Sequence, residues 1–430
     1  MQDGYITEVA ANASPRSDAP AEAIVVPGLC NVHSHAFQRA MAGLAERRGP
    51  TDDSFWTWRE VMYRFVDQLG PDELAAVAAQ AYMEMLESGF TRVGEFHYLH
   101  HDPMGNPYDD PAELAASHVE AARLTGIGLT LLPSFYAHGG FDGHPPTHGQ
   151  RRFITTPAQF ARLMEASAAL LASLPASQLG IAPHSLRAVS PSELAEVLRL
   201  APEGPVHMHL AEQQQEVADC LAWSGARPVE WLLDHAEVDA RWCLIHATHM
   251  TPSERARLAA TGAVAGLCPL TEASLGDGIF DARGWFGDAG AIAIGTDSNI
   301  CIDAAQELRA LETAQRLLLR ARNVLAMHAD ASTGRRIFEA AVAGGAHALG
   351  VRGGIAVGAP ADLVALDADD AALVGRSDDA WLDAWIFAAR RPPVRAVWSA
   401  GTLVVGPHGH HRREEIGARY RRVVRRIQLA

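Results

Sequence analysis

Lysine is absent from all 430 residues, so the 36 basic side chains are all arginine. Any chemistry that needs a lysine amine is excluded. Cysteine is scarce as well: Cys30, Cys220, Cys243, Cys268 and Cys301 are scattered without a Cys-x-x-Cys pair, and three of them sit in apolar strand-like runs where small buried thiols are common. The plain expectation is a reduced, cytoplasmic protein. No apolar stretch of membrane-spanning length occurs, and the N-terminus lacks a charged-then-apolar secretion signal. A formal net charge of -15 argues against nucleic acid and against an anionic membrane surface as partners. A charged small substrate would then need local cationic groups.

What is present is a core-forming composition, 48% hydrophobic, on a chain longer than one core usually requires. Eight β-rich runs alternate with helical patterns: Ile24–His33, Thr91–Tyr98, Ile127–Tyr136, Leu179–Ser185, Pro205–Leu210, Trp242–Ala247, Ala263–Pro269 and Ala291–Thr296. Between them lie stretches such as Pro71–Ser88, Thr156–Ser173, Pro191–Leu200 and Pro252–Ala260, several opening with Ser or Thr beside Pro and an early acid, as helix starts do. Eight βα repeats predict an α/β fold, a parallel (β/α)8 TIM-like barrel over residues 26–350, with its chemistry at the C-terminal strand ends. After Gly350 the texture becomes rich in Gly, Ala and Asp, with strand candidates Ala361–Leu366 and Val394–Val405. Residues 1–25, where Tyr5–Ala10 is the sole early strand candidate, and 351–430 are expected to form a small accessory β domain. The arginine-rich run Arg412–Arg426 reads as a terminal helix with a solvated face.

Polar residues cluster at the predicted strand ends. His33 and His35 alternate on the first strand and so point to the same side. His209 ends the fifth strand, His246 the sixth and Asp297 follows the eighth. Any one alone would read as a hydrogen-bonded strand histidine or a helix-capping aspartate; five in this strand order outline a metal site, because imidazole and carboxylate are what a divalent ion needs on rigid elements. Glu212, three residues beyond His209, could reach over such an ion as acid and base, or else be a first-turn helix acid favoured by the dipole. His207 reads as a buried barrel residue, and His249 lies past its strand.

The stretch Pro27-Gly28-Leu29 leading to His33-x-His35, His209 with Glu212, His246, and Thr296-Asp297 resembles the amidohydrolase superfamily of metal-dependent deaminases over nearly the whole chain. In that superfamily a bridged two-metal centre usually needs a carbamylated lysine from strand four, where this chain has Pro183-His184-Ser185. The resemblance therefore implies one divalent ion per subunit held by His33, His35, His209 and Asp297. Zinc is the expected ion; iron or manganese could use the same ligands. Glu212, His246 and Asp297 become the expected catalytic residues.

Within the superfamily, Asn31–Ala40, Phe55–Arg59, Gly94–His101, Ala182–Arg187 and His246–His249 are similar to members acting on N-formimino-L-glutamate. That likeness implies Gln38, Arg59, Tyr98, His184 and Arg187 as the substrate pocket and hydrolytic deimination of a linear amidine with two carboxylates, as in histidine breakdown. Arginine suits such a partner because its planar fork matches a carboxylate. Two alternatives stay open: an aminohydrolase acting on guanine or another heterocycle, and an inactive barrel serving as a scaffold. Arg59 could instead pair with Glu60 or Asp67, and Tyr98 could simply cap the barrel. A homodimer is expected. The 32 residues ahead of His33 are fewer than members of this group commonly carry, which leaves two alternatives open: an incomplete small β domain or a misassigned start site.

Overall fold

The computed structural model describes residues 1–13, 21–49 and 53–427. Seven barrel strands follow the expected order: Leu29–Ser34, Phe90–His97, Gly128–Phe135, Val206–Leu210, Trp242–His246, Val264–Leu267 and Ala291–Ile294. The fourth strand position is broken into Gln178–Leu179 and Ala182–Pro183. All neighbours pair in parallel, and the first strand lies between the second and the eighth. Closure between the fourth and fifth positions rests on single bridges, Ile181↔Val206 and Ser185↔His209. The fold is thus the predicted α/β barrel.

Local chemistry explains the helix starts. Thr156, Ser190 and Thr251 each precede a proline and accept a bond from the backbone N–H three residues on, while Gln159, Glu193 and Glu254 accept the cap residue's own N–H at 2.9, 2.8 and 2.7 Å. Two otherwise orphaned donors are satisfied at each turn, and proline costs nothing at a position with no helical acceptor. The Pro191–Leu200 pattern is an α-helix only to Val197, with a 3-10 turn over Leu198–Leu200.

The predicted strand Ile24–His33 divides at Gly28. Ile24–Pro27 pairs antiparallel with Leu363–Leu366 in a separate five-stranded sheet, whereas Leu29–Ser34 enters the barrel. A Cβ at Gly28 would collide with the Thr91 side chain. Its N–H bonds the Asp362 carbonyl at 3.0 Å and the next one bonds Gly89 at 3.1 Å, so the chain changes sheets across one peptide. Val394–Val405 likewise becomes two strands, Val394–Ser399 and Thr402–Gly406, turning at Gly401 with φ 76°. Tyr5–Ala10 forms no strand; Tyr5 makes only bridges to Gln2 and Pro360.

Inside the barrel, Cys30, Val32, Cys243, Ile245, Cys268 and Ala293 pack into a plug with Ala348 and Leu349 beneath it. His207 sits in this floor, as read from sequence, its Nε2 2.8 Å from the Ala348 carbonyl. Burial pushes the Cys30 thiol up to about 12 and raises those of Cys243 and Cys268 as well, so these cysteines are neutral packing groups. The terminal helix Arg413–Arg426 is not merely solvated. It packs on helix Pro71–Ser88, burying Ile416 and Val423, with Arg413 on Glu87, Arg426 on Glu73 and Arg419 on Glu120 at 2.6 Å.

Candidate active site at the barrel mouth

Several non-glycine residues with left-handed backbone stand where strands end: Ala211 (φ 51°), His246 (70°), Ala247 (49°), Asp297 (43°) and Asn299 (55°). Such conformations cost roughly 1–3 kcal/mol each and persist where the surroundings impose them. Here the surroundings are buried hydrogen bonds. Ala211 and Glu212 donate their N–H groups to the two oxygens of Glu216 at 3.0 and 3.1 Å, which fixes the turn that aims Glu212 inward. His35 N–H bonds the Asp297 carbonyl at 2.9 Å, and the Ala36 N–H bonds Glu95 Oε1 at 2.8 Å.

These constraints bring the four expected donors together. The ligating atoms of His33, His35 and His209 all lie within 4.8 Å of one another. His33 Nε2 is 3.1 Å from His209 Nε2, and Asp297 Oδ1 is 3.5 Å from His33 Nε2 and 3.4 Å from His35 Nε2. Tautomers can be read from the outer side of the rings: His35 Nδ1 faces the Phe96 carbonyl at 2.9 Å and His209 Nδ1 the His184 carbonyl at 3.0 Å. A carbonyl only accepts, so each Nδ1 carries the proton and each Nε2 presents a bare lone pair inward. Burial lowers the pKa of His33, His35 and His209, and neighbouring rings lower those of His33 and His209 further, so the rings are neutral. A tetrahedron with donor bonds of about 2.1 Å has edges of about 3.4 Å. The spacing of this donor set, the neutrality of its three rings and the tautomers of His35 and His209 therefore fit a divalent ion.

Beside the donors lies a chain of acid–base groups. His246 Nε2 is 3.9 Å from Glu212 Oε1 and 3.8 Å from Asp297 Oδ2, and its Nδ1 is 3.2 Å from Glu272 Oε1. Burial alone would lower the His246 pKa, but Glu212, Glu272 and Asp297 outweigh it and push the ring up to about 10. Glu212 is itself raised, first by burial, with His246 and Arg187 opposing. Arg187 stands 3.8 Å from Glu212 Oε2. Glu272 and Cys268, the latter clustered with His246 and Asp297, were not singled out from sequence. Their positions after the seventh strand carry no pattern that distinguishes them from a helix-start acid and a core thiol.

Gln38, Arg59, Tyr98, His184 and Arg187 all line one cavity with His35, His209, Glu212, His246 and Asp297. Gln38 donates from Nε2 to the Tyr98 hydroxyl at 2.9 Å. Arg59 lies over the Trp56 and Tyr63 rings at 4.6 and 5.5 Å, and Arg187 over Phe55 and Trp56 at 5.8 and 5.7 Å. Asp67 bonds Arg151 at 2.8 Å and leaves Arg59 with no carboxylate partner among the described residues. Sequence reading missed most of the aromatic wall: Phe55, Trp58, Tyr63, Tyr136 and Phe153. His249 stays outside, bonded to the Asp277 carbonyl at 2.8 Å.

Comparison with known proteins follows the same lines. Residues 24–404 match the model of the amidohydrolase family. The chain is 49% identical over 419 residues to formimidoylglutamate deiminase of Pseudomonas aeruginosa, covering 97% of this chain and 92% of that one. A crystal structure of an amidohydrolase from Brucella melitensis superposes with a TM-score of 0.96 at 51% identity, covering 99% and 94% of the two chains. An adenosine deaminase from Xanthomonas campestris with bound zinc superposes with a TM-score of 0.77 at 25% identity, over 94% and 86%.

Proposed function

Because the chain belongs to the amidohydrolase family, we propose that it hydrolyses N-formimino-L-glutamate to N-formyl-L-glutamate and ammonia, with the barrel-mouth residues in the roles below. It is a hydrolase of a linear amidine C–N bond. One observation carries the substrate assignment: the cavity lined by three of the proposed metal donors, His35, His209 and Asp297, is also lined by two arginines, one of them without a carboxylate partner among the described residues. A dicarboxylate amidine has a charge for each.

In this reading His33, His35, His209 and Asp297 hold a single divalent ion, zinc before iron or manganese. When bound, such an ion acts as a Lewis acid and brings the deprotonation of water near neutral pH. Arg59 and Arg187 each take one carboxylate, and Gln38, Tyr98 and His184 add hydrogen bonds. Their stacking on aromatic rings holds the guanidinium forks in place before substrate arrives. Glu212 accepts a proton from the attacking water and delivers it to the departing nitrogen; its raised pKa suits both transfers. His246, whose pKa is raised by Glu212 first and then by Glu272 and Asp297 against burial, hydrogen-bonds the reacting centre and steadies developing negative charge. Asp297 assists in proton transfer from its place between the donor set and His246. The balance is simple: water adds across the C=N bond, the C–N bond to the terminal nitrogen breaks, and ammonia departs.

An aromatic wall would also suit a flat ring, so the discriminating assay compares ammonia release from formiminoglutamate, guanine, adenosine and cytosine. Turnover of formiminoglutamate alone is expected; turnover of a heterocycle with none of the amidine would overturn the assignment. Among the described residues no helix is long and apolar enough to cross a membrane. We read the enzyme as a cytoplasmic homodimer, with residues 26–350 as catalytic barrel and 1–25 plus 351–430 as accessory unit.

A further inference from the structure

The two strand ends that supply three of the four donors are 265 residues apart in sequence, yet one buried chain of side chains links them. It begins at Asn31, whose Oδ1 accepts the Thr296 backbone N–H at 3.1 Å. That contact settles the direction of everything after it. With Oδ1 committed to a donor, Asn31 Nδ2 faces the Thr296 hydroxyl at 2.7 Å and donates to it. The hydroxyl proton must then go onward, to Asn299 Oδ1 at 2.6 Å. Asn299 Nδ2 is left facing three oxygens at 3.1 Å each: Ser34 Oγ, the His35 carbonyl and the Asp297 carbonyl. Every member is buried, with Asn31 and Asn299 at 0% exposure. Asn299 also occupies a left-handed conformation that asparagine tolerates better than most residues.

We propose that Asn299, oriented through Thr296 and Asn31, is a positioning residue for the metal centre. Its single amide grips the backbone of His35 from one strand and of Asp297 from the other, and so sets the distance between their side chains. The inference rests on the reading that these side chains hold a divalent ion. Groups that orient metal ligands typically change metal affinity by about 10–100-fold when altered.

Asn299→Asp keeps the shape but turns a donor towards two carbonyls into an acceptor. Thr296→Val removes the hydroxyl and breaks the chain one link earlier, and Thr296→Ser restores it. Zinc-loaded wild type and variants are titrated against a chromophoric chelator, and the thermal midpoint of each metal-free protein is recorded alongside. The expected result is an about 10–100-fold weaker zinc affinity for Thr296→Val and Asn299→Asp, with Thr296→Ser returning close to wild type. Should Asn299→Asp fail to fold, Thr296→Val against Thr296→Ser decides alone. Unchanged zinc affinity in the altered proteins, whatever their melting temperatures, would reduce the chain to scaffolding and overturn the proposal. A wild-type protein that retains no zinc would instead overturn the metal reading beneath it.

Discussion

Replacing Glu212 with glutamine tests the mechanism at its most exposed point. The substitution keeps the shape of the side chain and the two backbone bonds from Ala211 and Glu212 to Glu216, so the turn that presents residue 212 should persist. The titratable carboxyl is replaced by a neutral amide that cannot shuttle a proton. His246 loses one carboxylate neighbour but keeps Glu272 at 3.2 Å and Asp297 at 3.8 Å, and it should remain cationic. Arg187 loses the carboxylate 3.8 Å away and becomes freer to bind an anion, so KM should not rise. A positioned proton carrier typically contributes about 10²–10⁴-fold. At about 1.36 kcal/mol per tenfold, that is roughly 3–5 kcal/mol of lost transition-state stabilisation, falling on kcat. The assay is ammonia release from formiminoglutamate, with zinc content measured on the same preparation. Wild-type zinc with kcat reduced at least a hundredfold is the expected outcome. A kcat within tenfold of wild type at full zinc occupancy would remove Glu212 from the reaction.

Arg187→Met should raise KM by ten- to a thousandfold, about 1.4–4 kcal/mol, since it takes one partner from a buried charged pair; an unchanged KM in steady-state kinetics would make this arginine structural. Burial raises the Asp277 carboxyl to about 8, so between roughly pH 4 and 8 the folded protein binds more protons there than the unfolded chain, and stability falls as pH rises. Asp277→Asn should flatten that decline and raise the melting temperature at pH 8, while still accepting the Gln213 amide proton; identical melting curves across the range would refute the assignment. At Gly344 an added methyl would strike the Ile292 carbonyl of the eighth barrel strand. Backbone cannot yield as a side chain can, so Gly344→Ala should cost about 3 kcal/mol or more in chemical denaturation, and a loss below 1 kcal/mol would show that the helix can shift.

Much of this molecule was legible in one dimension because its signals are local. Alternation of side chains put His33 and His35 on one face, and the Ser/Thr-Pro-x-Glu/Gln pattern announced helix starts at Thr156, Ser190 and Thr251. Eight apolar runs alternating with helical patterns predicted the barrel, and the polar tips of the first, fifth, sixth and eighth predicted the rim where its donors meet. The substrate-pocket residues came from a resemblance, not from periodicity; Arg59 and Arg187 lie far apart in sequence and nothing in their own surroundings points to a shared cavity.

Sequence alone determined which residue types were available and which were excluded: no lysine anywhere, and histidine and carboxylate at the strand ends. Tertiary structure decided what each would face. The switch of sheets at Gly28 depends on the Asp362 and Gly89 carbonyls and its need for glycine on Thr91, the orientation of His246 on Glu272, the turn before Glu212 on Glu216, and the docking of the terminal helix on Glu73, Glu87 and Glu120. Side-chain periodicity reports how a segment meets its own surroundings. It carries no information about which distant segment supplies the partner, and in a closed barrel the partners that set charge and direction are mostly distant.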